Sequence, residues 1–464
     1  MQTTPDRLTP EQQLARFVVR LAPADLPAHA RRTVHHMVRA VAGTALAGAG
    51  EDGIAALRSL LLERGGAPQA TLLVFGDRLP AAAAAQFNAT LCRALDFCDA
   101  MAPGPHLGAA LLPAALAVAE LVHGCSGEDL VTALAVGAEL AARFNLSEAQ
   151  YDGLDPTGVC VVFGATATAA RLLRLTELQT LHALALAFNR CGGSFQSHVD
   201  GSLGVRITQG WVAQAGVECA QMARLGITGP QQFLAGSCSY AHLYGRDTLD
   251  VPALVAGLGQ AWRLDRMMFK QFPSCGVTQG MTALVLGLVA QHGLLADQVA
   301  SAEVRLPPYA HRLVGQPFKI GANPRVDAQF SAAWCVANAL QRGRPQLAHF
   351  EPARVADPTL LPLLQRISVL ADPALDARGH TAVDLAITTT DGRLLRAGLD
   401  TAPGYPGADL DEAQHQARFA DCLAYAAAAA PRALSHAQAA DLQAALADLA
   451  RLPDARQLAT LLVA

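Results

Sequence analysis

Apolar residues recur at helical spacing over most of the chain. They fall at i, i+3/i+4 and i+7/i+8 from about Thr9 to Arg64, from Leu79 to Leu95, from Leu111 to Asn145, from Val159 to Phe188 and from Gly210 to Leu225. Thr9-Pro10-Glu11 supplies a cap and a helix-compatible proline for the first helix, Ser126 a cap for a later one, and Gly226 a terminating glycine. Ala70–Phe75 reads as one short extended piece that ends in the turn Gly76-Asp77. Beyond Lys270 the pattern changes. Val277–His292 and Asp327–Gln341 are helical, Leu360–Leu370 is a helix running into a strand, and Val299–Leu306 and Thr381–Thr389 alternate with period two. Asp391-Gly392 is a hairpin turn before a returning strand. From Leu410 the helical pattern resumes. The chain therefore reads as mainly α: a large all-helical domain at 1–268 and 401–464, with a smaller α+β domain inserted at 269–400.

Two loops interrupt the helices with polar groups. In LDFCDAMAPGPH, Asp96 and Asp99 precede Pro103, Gly104, Pro105 and His106, and the prolines exclude a helix until Leu111, where a clean amphipathic one is expected. This places carboxylates and an imidazole at the entry of a helix, a suitable position for acid–base chemistry. YDGLDPT holds Asp155, which also fits an ordinary turn before Pro156. The polar stretch Asn189–Gln209 reads as irregular and carries His198, Asp200 and Arg206, with pairing of Arg206 to Asp200 as the simpler role.

Composition narrows the class. Of 464 residues, 52% are hydrophobic and 16% charged, and only 5% are aromatic, so the apolar mass is Ala, Leu and Val, as in closely packed helices. A net charge of −4 gives no footprint for nucleic acid. No apolar run is long enough for a membrane span, and the N-terminal MQTTPDRLTPEQQLARF lacks the apolar core of a signal peptide. Ten cysteines without any CxxC read as buried thiols of a cytoplasmic chain, with neither a disulfide frame nor a metal site.

Several segments, in order, resemble the MmgE/PrpD family of dehydratases, decarboxylases and epimerases acting on small carboxylates. FNATLCRALDFCDAMAPGPH resembles its Asn-Gly…His-x-x-Asp-Phe-Asp-Asp…His-Pro-Ser region. YDGLDPTGVCVVFGATATAARLL resembles its Gly-x-His-x-Thr…Gly-Ala-Ala-x-Ala-Ala segment. KQFPSCGVTQ resembles Lys-x-x-Pro-x-Cys…His, and DAQFSAAWCVANAL resembles Ala-x-Phe-Ser-x-x-Tyr-x-Val-Ala-x-Ala-Leu. The resemblance implies a homodimer, an active site in the cleft between the two domains, a small anionic carboxylate substrate, and no metal or organic cofactor.

It also implies site residues. Asp96, His106, Lys270 and Cys275 match the family pattern. Asp155 and Gln279 stand where it has histidines, Val205 and Thr208 where it has a lysine and a histidine, Trp334 where it has a tyrosine, and Ala100 where it has Thr or Ser. Asp96, His106, Lys270 and Asp155 are the catalytic candidates, with Arg206, Gln279 and Cys275 as substrate-binding ones. The expected chemistry is proton transfer at a carbon next to a carboxylate, which needs a base near its working pKa and cations for the developing charge. A carboxylate at 155 favours a substrate less anionic than a tricarboxylate, or one carrying an amine. Loss of the usual histidines also fits a degenerate member that serves as a binding or partner subunit.

Overall fold

The computed structural model describes residues 8–464; the first seven residues of the segment read above as no signal peptide lie outside it. The chain forms two compact units. One comprises the chain up to Met267 together with Ala426–Ala464, the other Met268–Tyr425. The fold is mainly helical, with one small mixed sheet among the C-terminal helices.

In the first unit the long helices are α1 (Pro10–Arg20), α2 (Ala28–Ala47), α3 (Ile54–Arg64), α4 (Ala81–Arg93), α5 (Gly108–Leu121), α6 (Gly127–Phe144), α7 (Val162–Leu172), α8 (Glu177–Phe188) and α9 (Gly204–Arg224). Their starts follow local chemistry. Thr9 and Gln12 form a capping box on α1, Ser126 accepts from Asp129 N–H at α6, and Thr176 pairs with Gln179 at α8. Small residues let helices approach closely. A Cβ on Gly210 of α9 would lie 2.3 Å from Thr90 Oγ1 of α4, and one on Gly164 of α7 would lie 2.5 Å from the Gly137 carbonyl of α6.

Helix α5 departs from the sequence reading. It begins three residues before Leu111, so Pro113 is inside it, and every residue from Gly108 to Ala119 is buried. It is a central helix that is apolar all round, not an amphipathic one. Helix α9 likewise starts at Gly204, six residues before the expected Gly210, which puts Arg206, Thr208 and Gln209 on a helix and out of the irregular stretch. The extended piece at Ala70 shrinks to Ala70–Thr71, paired with Arg78–Leu79.

In the second unit, β1 (Val299–Leu306), β2 (Ile367–Ala371), β3 (Val383–Thr389) and β4 (Leu394–Leu399) form a sheet of order β2-β1-β3-β4. The β1–β2 pair is parallel and the others antiparallel. Gly392, at φ 86°, makes the β3–β4 turn. Strand β3 alternates strictly, and its buried Val383, Leu385 and Ile387 join a core with α10 (Gln279–His292) and α11 (Ala332–Arg342). The helix expected over Asp327–Gln341 is broken: Pro324–Gln329 ends, and Ser331 caps α11 by accepting from Trp334 N–H.

Helix α12 (Glu412–Ala429) carries Asp421, whose carboxylate accepts Leu347 N–H at 3.1 Å. Burial pushes this carboxyl up to about 6, against that N–H and the charge of Arg344. Between its ordinary value of 3.8 and about 6, the folded chain keeps a proton that the unfolded chain has lost. Stability should therefore fall as pH rises through this window, by up to about 3 kcal/mol from this group. Asp421→Asn keeps the acceptor and removes the titration. In chemical denaturation at pH 4, 5 and 6, the wild type should lose ground to D421N at each step; a pH-independent difference would contradict this.

Candidate active site

The first unit gathers Arg93, Asp96, Asp99, His106, Asp155 and Thr157 from the end of α4, the following loop, and the turn before α7. Asp96 lies just past α4 at φ 53°, a left-handed conformation that Asp tolerates better than most residues. It therefore ends a helix and does not cap one. Its Oδ1 is 2.7 Å from Arg93 Nη1 and 3.5 Å from His106 Nε2.

Asp99 does the capping. Its Oδ2 accepts the N–H groups of Leu107 and Gly108 at 3.0 and 2.9 Å, at the start of α5. A Cβ on Gly108 would lie 2.3 Å from Asp99 Oδ1 and 2.5 Å from Met37 Cγ, so glycine is needed for the close approach. The backbone oxygen of Asp99 is 2.7 Å from His106 Nδ1. A carbonyl only accepts, so Nδ1 carries a proton and Nε2 is the ring nitrogen on the Asp96 side. Cys98 Sγ lies 3.3 Å from the same Nδ1. The backbone of His106 is pinned on both sides: its N–H donates to Thr157 Oγ1 at 3.2 Å, and its carbonyl accepts from Gln209 Nε2 at 2.8 Å.

Asp155, 2% exposed, accepts Thr157 N–H at 2.9 Å and donates its own N–H to the Gly193 carbonyl at 3.0 Å. It is the turn residue the sequence suggested, and it is also part of the cluster. Burial raises its pKa, opposed by the N–H groups of Thr157 and Gly158, the Thr157 hydroxyl and the charge of Arg93. A Cβ on Gly193 would sit 3.1 Å from Asp155 Cβ and 3.6 Å from Thr208 Cγ2. Two positions that depart from the family pattern, 155 and 208, thus flank the same glycine.

Arg206 is buried and donates from Nη1 to the Asp52 carbonyl at 2.7 Å. It does not pair with Asp200, which accepts from Gln196. The sequence reading missed Arg93, Asp99's capping role, Thr157 and Gln209.

In the second unit Lys270 is 3% exposed and opens the segment Gln271–Thr278. Gln279 clamps that segment. Its Oε1 accepts Phe272 N–H at 2.8 Å, while Nε2 donates to the carbonyls of Phe272, Ser274 and Cys275 at 3.0, 3.2 and 3.3 Å. Both ends of the amide are engaged with backbone, so Gln279 holds the loop that carries Lys270 and Cys275. Cys275 is buried and donates its N–H to the Gln329 carbonyl at 3.0 Å. Trp334 is fully buried and packs its ring 4.8 Å from that of Phe350.

A crevice of about 810 Å³ elsewhere in the first unit is lined by Arg78, Glu120, His123, Asp454 and Arg456 among others. Its arginines are paired, Arg78 with Glu120 at 3.0 Å and Arg456 with Asp454 at 2.6 Å, which leaves it without the unlike carboxylates of the His106 cluster. No group of three or more His, Cys, Asp or Glu placed to hold a metal occurs among the described residues, and no described helix is long and apolar enough to cross a membrane.

A helical unit built on a buried α5, followed by an α+β unit, with these motifs in this order, defines a family, and the chain belongs to it. Residues 12–251 match the MmgE/PrpD N-terminal domain and residues 272–442 the MmgE/PrpD C-terminal domain. The chain is 26% identical over 357 residues to the cis-aconitate decarboxylase of Homo sapiens, covering 74% of this chain and 72% of that protein. It is 25% identical over 246 residues to the cis-aconitate decarboxylase of Aspergillus terreus, covering 50% of each. Family membership supports a lyase- or isomerase-type activity on a small carboxylate.

Proposed function

We propose that the protein is a cofactor-free lyase or isomerase that moves a proton at the carbon next to a carboxylate, with His106 as the base. The observation that carries this reading is the 2.7 Å contact of His106 Nδ1 with the Asp99 carbonyl, which leaves Nε2 as the basic atom 3.5 Å from the Asp96 carboxylate. Nε2 takes the proton from the substrate carbon, and Asp96 stabilises the imidazolium that forms. The electron pair left on carbon delocalises into the adjacent carboxylate, where a cation lowers its energy. Lys270 is assigned that cationic role. Asp155, favoured in its neutral form by burial, is the proton donor for a leaving group or for the opposite face of the carbon. Dehydration and epimerisation share this first step, whereas decarboxylation of a cis-aconitate-like acid reaches a similar carbanion by losing CO₂ and then takes a proton onto carbon, which a protonated His106 would supply.

The test is NMR of purified protein in D₂O with methylcitrate, cis-aconitate and aminodicarboxylates. Deuterium incorporation or turnover on one of them is expected. Lys270→Ala should abolish it, a loss of about a thousandfold, with the far-UV circular dichroism unchanged. Full activity in K270A would remove the lysine from the mechanism.

A second reading is favoured by Asp155 and Thr208, which flank Gly193 and stand where the family pattern has histidines. In it the protein binds carboxylates without turning them over. Binding with no exchange on any of these acids would decide for it.

A further inference from the structure

Arg93 is the last residue of α4 and is 5% exposed. A basic side chain at a helix C-terminus is favourable on the surface, where it faces the dipole and stays hydrated. Burying it is costly unless an anion accompanies it. Asp96 supplies one anion, at 2.7 Å. Among the described residues that oxygen is the one acceptor within bonding distance of the Arg93 guanidinium. A guanidinium has five N–H donors in a rigid fork that fits a carboxylate through two parallel bonds. Asp155 feels the charge of Arg93 without forming an ion pair with it, and burial favours its neutral form. The guanidinium therefore retains donors and charge for a second carboxylate. Arg206, the cation singled out in the sequence, directs Nη1 at the Asp52 carbonyl.

We propose that Arg93 is a second carboxylate-binding cation, in addition to Lys270, aimed by Asp96 and holding a substrate carboxylate with its remaining N–H donors. This rests on the reading that the His106 cluster is where substrate binds. It makes the Arg93–Asp96 pair a clamp in which the protein carboxylate fixes the fork and the substrate takes its open side. The ligand class that follows is a small acid with a carboxylate one or two bonds from the carbon that reacts.

Isothermal titration of the full chain with malonate tests this without any need for turnover. The wild type should bind malonate. Arg93→Gln should weaken binding by about ten- to a hundredfold, the size expected for charge-assisted hydrogen bonds. Arg93→Lys should recover part of the loss because it keeps the charge and lacks the fork. Arg224→Gln, an exposed change on α9, should bind as the wild type does. If R93Q fails to fold, R93K decides: weaker binding at unchanged thermal stability supports the clamp. No malonate binding by the wild type at tens of millimolar, or equal affinity in the folded Arg93 variants, overturns it. Malonate binding through Arg93 with no proton exchange on any acid would keep this assignment and defeat the catalytic one. Proton exchange with Arg93-independent malonate affinity would do the reverse.

Discussion

His106→Asn should lower proton exchange and turnover by about 10²–10⁴-fold, the usual contribution of a positioned general base, while leaving the fold intact. Asparagine is chosen because its Nδ2 lies near the place of Nδ1 and donates to the Asp99 carbonyl as the imidazole does. The backbone contacts to Thr157 and Gln209 do not involve the ring and should persist. What disappears is Nε2 and its 3.5 Å relation to Asp96. His106→Gln is the informative partner, since its longer amide reaches toward the Nε2 position but gives up the Asp99 contact. Neither amide is basic, so both variants should be inactive. Rates measured by deuterium exchange, with thermal melts alongside, check the pair. Near-wild-type exchange in H106N with normal stability would remove His106 as the base.

His106 stood out as a candidate in the sequence because the prolines and glycine before it break the helical pattern and leave it in a loop with two aspartates. The sheet was legible for a similar reason. Val383–Thr389 alternates cleanly and Asp391-Gly392 is a turn with one good conformation. Arg93 was not legible. A basic residue in the last turn of a helix is what the dipole favours anywhere, and its pairing with Asp96 depends on the left-handed backbone at 96. The spacing from Arg93 to Asp96 was the available signal. Gln279 reads as a lost histidine in the sequence, whereas its amide binds three carbonyls and an N–H of the preceding loop, a duty set by chain reversal and not by periodicity. The early start of α5 escaped for the same kind of reason: its first N–H groups are satisfied by a carboxylate eight and nine residues upstream, outside any capping window.

That remote cap gives the largest effect expected on stability. Asp99 is fully buried, and one carboxylate oxygen serves two N–H groups at the head of a helix that has no solvent-facing side over Gly108–Ala119. Asp99→Ala strands both donors where water does not reach and removes a negative charge from the positive end of the helix. Each stranded donor costs about 1–3 kcal/mol and the charge about 1 kcal/mol, so a loss of about 3–7 kcal/mol is expected. Asp99→Asn keeps an acceptor in place and should lose only about 1 kcal/mol, from the charge. Gly108 leaves no room beside Asp99 and Met37 for even one added carbon, so the start of the helix is closely packed there. The substitutions should also separate two functions of the same residue. The carbonyl that orients His106 belongs to the backbone, so D99N should retain exchange activity close to that of the wild type once its lower melting point is respected. D99A should lose both, since a helix head that frays carries Leu107 and the neighbouring imidazole with it. Urea unfolding of the three proteins, with deuterium exchange measured well below each midpoint, checks both halves. Equal stability of D99A and D99N would mean that water or another group reaches the start of α5, and the helix would then not be what holds His106 in register with Asp96.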